Sequence, residues 1–330
     1  MLSYLHAFHA GNHADILKHM ALIGILEKLN QKGAPYSFFD THGGSGLYSL
    51  NGEKAQKTGE AQKGILSLAS FCQNFLGQEG KKEIPLALKK YLDFVGPYLK
   101  MDLYPGSPLI ERAFLRKDCF HSICELHPGE FERLKENCQR QDKANNFGPK
   151  GSFLPEQKEA GSSGGRTKVR TQILKQDGLK NLLSQTPPKI KRGGVLIDPS
   201  YEEKSDYEAV QKTVAAVHKK WSAGIIMIWH PLLAYRSAEI ESMILAVIDS
   251  AKRQNPNTEI LRAELLADNP QSHTERSLKD NAAAKDSEGS SPPRLYGSGI
   301  LVINAPWKLD QELDQALSFF PNNGHSITKI

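Results

Sequence analysis

Three acidic residues each follow a short apolar run, and this spacing is where the sequence first points to chemistry. Asp40 ends the run PYSFFD, Glu125 directly follows HSIC, and Asp198 ends GGVLID. Runs of this length without polar alternation predict strands that are covered on both faces. The carboxyl ends of parallel strands lie at one edge of a sheet, where open α/β folds bind their ligands. We therefore expect the three carboxylates to converge on a single crevice.

The turn after the third run has the sequence DPSY, which combines an acid, a proline and an aromatic ring. Pro199 has no N–H and cannot continue a central strand, so the chain must turn at Asp198. The Asp198 carboxylate and Tyr201 are therefore expected at the carboxyl edge of the sheet. Asp-Pro is also common at turns without a catalytic role. The motif alone leaves a catalytic and a purely structural interpretation open.

The run that ends in Asp40 continues into a glycine-rich loop, DTHGGSG. Gly43, Gly44 and Gly46 would let the backbone come close to a ligand, as in nucleotide-binding turns, although such glycines often serve only packing. Glu125, at the next strand end, suits hydrogen bonds to ribose hydroxyls. Its position near the start of a helix is an equally good explanation.

The N-terminal nineteen residues are rich in aromatic and imidazole side chains, namely Tyr4, His6, His9, His13 and His19. A metal site is disfavoured, because no H-E-x-x-H motif and no nearby cysteine accompany them. His13 and His19 are six residues apart and would not share a helix face. We expect surface or ligand-contacting histidines, with Asn12 capping the helix that follows.

Bulk composition places the chain among ordinary globular proteins. Its 330 residues can form one large domain or two smaller ones, with 39% hydrophobic and 24% charged residues. The net charge of +5 allows a polyanionic partner without requiring one. The four cysteines show no C-x-x-C spacing and are interpreted as buried apolar residues. No apolar run approaches the ~20 residues of a membrane span, and the N-terminus lacks a signal-peptide core, so we expect a cytoplasmic protein.

Apolar runs alternate with helical patterns along most of the chain. The predicted strands are 35–40, 121–126, 193–198, 224–229, 258–266 and 297–304, with a further candidate at 168–172. Between them, residues such as Ile16, Met20 and Ile23 share one face of a helix. This alternation predicts an α/β fold with a mostly parallel sheet and helices on both faces.

Three segments interrupt that alternation. Residues 52–100 are helix-like without strands and predict a helical insertion subdomain between residues 1–51 and 101–330 of the main domain. Residues 148–170 and 281–294 are rich in glycine, serine and charge, and are predicted to be mobile loops.

Several motifs, spread over nearly the whole chain, resemble those of the RlmJ family, bacterial methyltransferases that act on N6 of an adenine in 23S ribosomal RNA. The motifs are the opening LSYLHAFHAGNHADILKH, the DTHGGSG loop, YPGSP (104–108), ELHP (125–128), the acid turn at Asp198 and NAPWKL (304–309). The resemblance implies a Rossmann-like class I methyltransferase domain with a seven-stranded, mostly parallel sheet. It also implies S-adenosylmethionine as the methyl donor, 23S ribosomal RNA as the partner and no metal. We expect a monomer that does not associate with membranes.

Site residues follow from the resemblance at the matching positions. The implied donor contacts are His19, His42, Ser107, Glu125, Asp177, Gly178 and Asp198. Lys18 lies beside this set in the N-terminal motif, and the strand-end argument adds Asp40, Gly44 and Gly46. Tyr4, His6 and Tyr201 are expected to contact the RNA.

The expected catalytic residues are Asp198, Pro199 and Tyr201. Because the donor's sulfonium is already activated, the enzyme mainly has to orient the nucleophile. The Asp198 carboxylate and the Pro199 carbonyl can accept both hydrogens of adenine N6, and Tyr201 can stack against the extruded base.

The sequence also departs from the family pattern, and these departures keep alternatives open. Ser200 replaces the second proline of Asp-Pro-Pro-Tyr, Gly43 replaces an alanine, and Ala305 replaces a proline. A DNA adenine-N6 methyltransferase shares the acid turn, and Ser200 motivates a catalytically impaired RNA-binding relative. The glycine loop and Glu125 alone would also suit a nicotinamide dehydrogenase.

Overall fold

The structure is a computed structural model that describes residues 5–76, 83–143, 170–267, 295–320 and 323–330. Tyr4 and the predicted mobile loop at 281–294 lie outside the described residues. So does the loop predicted at 148–170, apart from Arg170 at its end.

The strands within the described residues are β1 (Ser37–Asp40), β2 (Leu47–Ser49), β3 (Leu103–Pro105), β4 (Phe120–Cys124), β5 (Thr171–Leu174), β6 (Gly193–Ile197), β7 (Ile225–Leu233), β8 (Ile260–Leu266), β9 (Leu295–Ile303) and β10 (His325–Lys329). The helices are α1 (His13–Asn30), α2 (Glu53–Thr58), α3 (Ser67–Leu76), α4 (Leu86–Leu99), α5 (Ser107–Phe114), α6 (Pro128–Lys143), α7 (Gly178–Gln185), α8 (Lys204–Lys220), α9 (Ser237–Gln254) and α10 (Leu309–Leu317). Short helical turns at His6–Phe8, Gln62–Leu66 and Ala234–Arg236 complete the described elements.

The described strands form an eight-stranded sheet in the order β10-β8-β9-β7-β6-β1-β4-β5, and β2 pairs with β3 separately. Strands β5, β4, β1, β6 and β7 pair in parallel, whereas the β7–β9, β9–β8 and β8–β10 pairs are antiparallel. The predicted α/β, Rossmann-like class is confirmed. The sheet has one strand more than the seven expected, because the C-terminal segment HSITK pairs with the edge of β8 as β10.

A topological switch point lies between β1 and β6. After β1 the chain continues to β4 on one side, and after β6 it continues to β7 on the other. Ligands bind at such points in open α/β sheets, outside the carboxyl ends of the strands. Asp40 is in register with Leu196, two residues before Asp198, so both acids reach the same crevice.

The hydrophobic core divides into two parts, one on each face of the sheet. Leu196 contributes to the part formed with α1, α4, α5 and α10, while its neighbours Val195 and Ile197 contribute to the part formed with α8 and α9. This alternation follows from the two-residue period of a strand. As predicted for buried parallel strands, every residue of β6 is buried.

Helix α1 lies at the centre of the first core part. Asn12 caps it as predicted, since its side-chain oxygen accepts a hydrogen bond from the Asp15 N–H at 3.0 Å. The apolar pattern predicted a helix with one buried face, but almost all of α1 from Ala14 to Leu26 is buried. It packs against α4, α5, α10 and β9, so almost no side of it is left to solvent.

The described residues between β2 and β3 are helical, as the sequence predicted for 52–100. Helix α4 nevertheless packs into the main core, where the Tyr91 hydroxyl lies 2.9 Å from that of Tyr104. Its Lys90 is also paired with Glu27 of α1 at 2.7 Å. The assignment of this region to a separate subdomain stays a prediction.

In the described part of the chain, no helix combines the length and apolar character needed to cross a membrane.

Candidate active site

Asp198 follows β6 at the switch point, and its carboxylate is paired with a buried lysine. The Lys18 Nζ lies 2.7 Å from Asp198 Oδ2 and 3.0 Å from Asp15 Oδ1. Burial raises the pKa of Asp198, and the positive charge of Lys18 opposes that effect. For Lys18, burial alone would lower the pKa, but the Asp198 and Asp15 carboxylates raise it. Lys18 is therefore charged and favours the ionised form of Asp198.

Asp15 holds the N-terminal segment and Lys18 together, and the sequence motifs did not single it out. Its Oδ2 accepts hydrogen bonds from the Gly11 N–H at 2.8 Å and from His6 Nε2 at 2.9 Å. Burial would raise the pKa of Asp15, but His6 and Lys18 together hold it well below its usual range. The i, i+3 spacing of Asp15 and Lys18 inside an apolar helix is the sequence signal that could have revealed this cluster.

Asp40 ends β1 and is buried beneath the same crevice. Its two oxygens accept hydrogen bonds from the Ser107 hydroxyl at 2.8 Å and the His42 N–H at 3.0 Å. Burial raises the pKa of Asp40 to about 6, despite these two donors. Ser107 is thus placed to act through Asp40. A direct contact between Ser107 and a methyl donor stays a prediction.

Glu111 lies in the layer below Asp40 and was also missed from the sequence. It is fully buried on α5, and its Oε2 lies 2.8 Å from His121 Nε2. Burial, and next the nearby Asp40 carboxyl, raise the pKa of Glu111 well above its usual range. Its position in an ordinary helical segment provided no signal of this environment.

The glycine loop after β1 is tied to Glu125 at the end of β4. Glu125 accepts hydrogen bonds from the Gly44 N–H and the His127 N–H, each at 2.7 Å. Burial raises the pKa of Glu125, and these two donors oppose the shift. Gly44 has φ +57°, and a Cβ at this position would lie 2.2 Å from the Tyr48 hydroxyl. Packing alone therefore requires a glycine at this position, whether or not a ligand binds.

Asp177 and Gly178 bring the start of α7 against the loop after β1. Asp177 caps α7 by accepting hydrogen bonds from the Leu179 and Lys180 N–H groups, both at 3.1 Å. A Cβ on Gly178 would lie 1.9 Å from the Thr41 carbonyl oxygen, so only glycine fits here. His42 lies in the same loop, and burial lowers its pKa to about 4.

Two further residues expected at the site are buried and packed against other side chains. The Tyr201 ring is 2% exposed, packs 4.6 Å from the Tyr207 ring and donates a hydrogen bond to the Trp229 carbonyl. His19 is 1% exposed, and its Nδ1 lies 2.8 Å from the Tyr104 hydroxyl. Burial lowers the pKa of His19 to about 3. The stacking of Tyr201 on a nucleotide base and the contact of His19 with a methyl donor stay predictions.

Together, the carboxyl edge around β1 gathers most of the predicted site. Adjacent strands lie ~4.8 Å apart, so the ends of β4 and β6, which lead into Glu125 and Asp198 on either side of β1, are roughly 10 Å apart. Such an arrangement can bind a hydroxyl-rich ligand at one end and orient a hydrogen-bond donor at the other. Among the described residues, no group of three or more His, Cys, Asp or Glu side chains has the arrangement of a metal site.

Comparison with known proteins places the chain in a family. A family model described as "Ribosomal RNA large subunit methyltransferase D, RlmJ" matches residues 33–168 and 166–325. The protein named ribosomal RNA large subunit methyltransferase J from Escherichia coli (strain K12) is 32% identical over 320 residues, 96% of this chain and 92% of the relative. The protein of the same name from Haemophilus influenzae (strain Rd) is 32% identical over 319 residues, 97% and 92% of the two chains.

A solved structure shows the same fold. The crystal structure of a protein from Legionella pneumophila (strain Philadelphia 1) superposes with a TM-score of 0.70 at 23% identity, covering 97% of this chain and 98% of the other. The fold and the family match together define a Rossmann-like methyltransferase of class I. The chain belongs to the ribosomal RNA large subunit methyltransferase J family.

Proposed function

We propose that this protein transfers a methyl group from S-adenosylmethionine to N6 of an adenine in the 23S RNA of the large ribosomal subunit. The names of its relatives support this class of substrate. The main observation in support of amine methylation is the Asp198 carboxylate at the switch point, whose Oδ2 is bound to Lys18. The Asp198 side chain keeps 13% of its surface exposed, and we assign its other oxygen, Oδ1, to the substrate amine.

The residues of the crevice fit the proposed donor. S-adenosylmethionine supplies an activated methyl group on a positively charged sulfur. Each oxygen of Glu125 accepts one backbone N–H and keeps a lone pair for a ribose hydroxyl. Asp40, Asp177 and Asp198 give this edge the negative charge that a sulfonium favours. His42 and Gly178 form the wall of the crevice beside Asp177.

The amine is oriented by the turn after β6. The lone pair of adenine N6 is delocalised into the ring, so the amine is a poor nucleophile until its hydrogens are held. The Asp198 carboxylate and the Pro199 carbonyl accept these two hydrogens and localise the lone pair on nitrogen. As the nitrogen forms a bond to the methyl carbon, the bond between that carbon and the donor's sulfur breaks, and the sulfur keeps the electron pair as a neutral thioether. The nitrogen is then positively charged and loses one proton, for which Asp198 is the adjacent base. Lys18 keeps that carboxylate ionised beforehand.

The target base has to leave its stack to reach this turn. His6, which is partly exposed and bound to Asp15, lies on the N-terminal segment where Tyr4 is also expected to contact RNA. Stacking on Tyr201 requires the turn to shift, because the ring is covered by Tyr207 and Trp229. Ser200, in place of proline, leaves one backbone angle of that turn free to do so.

The test is to incubate the purified protein with labelled S-adenosylmethionine and either transcribed 23S RNA or duplex DNA. We expect label in the RNA only, and nucleoside mass spectrometry should identify it as N6-methyladenosine. Label in DNA alone would favour the DNA-methylating alternative. Donor binding without transfer to either polymer would favour an impaired relative, and NAD binding without donor binding would overturn the proposal.

A further inference from the structure

The edge of the sheet opposite the candidate active site is lined by positively charged loops. Loops 31–35, 115–119, 186–192 and 221–224 precede β1, β4, β6 and β7, with Lys219 and Lys220 at the end of α8 just before the last of these loops. Loop 304–308 follows the antiparallel β9. They therefore lie at the same amino end of the parallel strands. We call this surface the basic edge. Its exposed lysines are Lys32, Lys117, Lys189, Lys191, Lys219, Lys220 and Lys308.

Hydrogen bonds join the first three of these loops into one surface. The guanidinium groups of Arg116 and Arg192 both lie over the Tyr36 ring, at 5.7 and 5.5 Å from its centroid. Both also donate to the Ala34 carbonyl, at 2.8 and 2.7 Å. Two cations from different loops are thus fixed side by side before β1.

The remaining loops continue from this point along the edge. The Trp221 indole N–H donates to the Lys191 carbonyl, which connects the loops before β6 and β7. The Asn304 side chain donates to the Ser222 carbonyl at 2.8 Å and the Gly224 carbonyl at 2.7 Å. The turn after β9 is therefore attached to the same surface.

The basic edge carries more positive than negative charge. Loops 31–35, 186–192 and 221–224 contain no acidic residue, and Asp118 in loop 115–119 is paired with Arg116 at 3.2 Å. Glu259, whose carbonyl accepts the Ala305 N–H, is paired with Lys329 at 2.8 Å. None of the seven exposed lysines forms an ion pair with another described residue. Clustered charge of one sign attracts a polyanion over distances well beyond a direct contact.

The candidate active site has the opposite charge. The loops at the carboxyl edge carry six acids, namely Asp40, Glu125, Asp177, Asp198, Glu202 and Glu203. Three cations, Lys18, Lys175 and Arg236, offset part of this charge and leave the edge negative. Acids at this edge suit a cationic donor and an amine, but they repel phosphates. A nucleic-acid substrate must therefore gain much of its binding energy elsewhere on the protein.

The basic edge also presents an aromatic ring to solvent. Trp307 is 74% exposed, and the Lys308 Nζ lies 4.2 Å from its ring centroid. Asn304 and Lys308, on either side, have φ of +56° and +66°, in the left-handed region that lysine rarely adopts and asparagine adopts more readily. A tight turn thus holds the ring outward, although burial would stabilise a tryptophan. An exposed aromatic beside a cation is an arrangement on which unpaired bases stack.

We propose that the basic edge is a second RNA-binding surface, which holds the phosphate backbone of the substrate away from the target adenine, with Trp307 stacking against an unpaired base. This inference rests on the proposed function in that it takes RNA as the substrate. Strands of five residues span roughly 16 Å, so a short RNA bound at the carboxyl edge does not reach the basic edge. A long folded RNA reaches both.

The test compares a charge-reversed variant with a matched control. Lys189→Glu combined with Lys191→Glu changes the basic edge, whereas Lys135→Glu combined with Lys212→Glu makes the same change in charge on the outer sides of α6 and α8. Affinity is measured for transcribed 23S RNA over a range of salt concentrations, and turnover is measured on that RNA and on the shortest fragment that the wild type methylates.

For the basic-edge variant we expect at least about tenfold weaker binding of the long RNA. The slope of log affinity against log salt concentration should be shallower by about one for each phosphate that is no longer bound. Turnover on the short fragment should match that of the wild type, and the control should bind the long RNA normally. Long-RNA binding equal to that of the control, or equal reductions on both RNAs, would overturn the inference. Failure of the wild type to methylate any RNA would instead overturn the proposed function.

A second variant tests the aromatic contribution. Trp307→Ala should weaken binding of the long RNA by about tenfold, the scale of a single base stack, and Trp307→Phe should largely restore it. Because the ring is exposed, the fold should be unaffected, which circular dichroism can check. Equal RNA affinity of the wild type and Trp307→Ala would show that the ring does not contact RNA.

Discussion

At the scale of single residues, the catalytic proposal depends on how Asp198 is kept ionised in a buried position. A buried carboxylate ordinarily prefers its neutral form. Lys18 offsets this preference at 2.7 Å, and Asp15 in turn stabilises the lysine. Removal of any one member leaves a buried charge without its partner, which is costly.

Asp198→Asn should abolish methyl transfer, with a rate reduction on the order of 10²–10⁴-fold, because the amide is a weaker acceptor and cannot take a proton. Donor binding should be partly retained, since Glu125 and Asp177 are unchanged. Single-turnover kinetics and calorimetry measure the two effects separately. Glu208→Gln, an equal change in charge on the exposed side of α8, is the control. Full activity of Asp198→Asn would remove Asp198 from the mechanism.

Lys18→Met should move the acidic limb of the pH–rate profile to higher pH. Lys18 lowers the pKa of Asp198, so its removal lets that pKa rise further, and a higher pH is then needed to ionise the carboxylate. Lys28→Met, on the same helix but paired with Glu312 at 2.6 Å, is the control and should keep the wild-type profile. A lower rate with an unshifted profile would contradict this role for Lys18.

The strand-end acids could be predicted from the sequence, whereas their partners could not. Asp40, Glu125 and Asp198 each follow an apolar run, and one rule about parallel sheets places them at one edge. The Lys18–Asp198 pair joins residues 180 positions apart, and it depends on how α1 crosses the sheet. The burial of Tyr201 likewise depends on the packing of Tyr207 and Trp229.

At the scale of elements, the long apolar strands of the sheet were predicted and the short ones were missed. Strands β2 and β3 have three residues each, and β10 has a single apolar residue, Ile327, and lies at the edge of the sheet. Such strands are formed by a pairing partner distant in sequence, which local pattern does not reveal. The one-sided pattern assigned to α1 failed because several elements cover the helix together.

The junction of α7 with the loop after β1 gives an element-scale prediction. Gly178→Ala should destabilise the protein by roughly 1–3 kcal/mol and weaken donor binding, because the added methyl would meet the Thr41 carbonyl and displace the loop carrying His42. Gly33→Ala, in the loop after α1 with open space around it, should be neutral or stabilising by up to ~1 kcal/mol. Chemical denaturation measures both. Equal stability of the two variants would contradict the close packing at Gly178.

At the scale of the whole molecule, several buried histidines couple folding to pH. Burial lowers the pKa of His19 to about 3 and that of His42 and His230 to about 4. In the unfolded chain these groups titrate near 6.5, so between about pH 6.5 and 4 the unfolded state binds more protons and stability falls as pH decreases. Asp40, whose pKa is raised to about 6, acts in the opposite direction over part of that range.

His230→Gln should therefore reduce the drop in stability on acidification. In the wild type this one histidine should contribute a drop on the order of 2–3 kcal/mol between neutral pH and pH 4. Denaturant unfolding at several pH values measures the difference between the two proteins. Gln172→Ala, which changes an exposed residue on β5 that has no titratable group, is the control and should retain the wild-type pH dependence. A constant difference between wild type and His230→Gln at every pH would contradict this assignment.

Helix α1 is buried from Ala14 to Leu26 and also carries Asp15 and Lys18. A core substitution on it, for example at Leu22 or Ile25, moves the backbone from which these two ionic groups project. A substitution in α1 that changes thermal stability is therefore expected to change the turnover rate as well. Directed evolution for either property should find fewer acceptable changes in α1 than in helices such as α8 or α9, which carry no charge directed at Asp198.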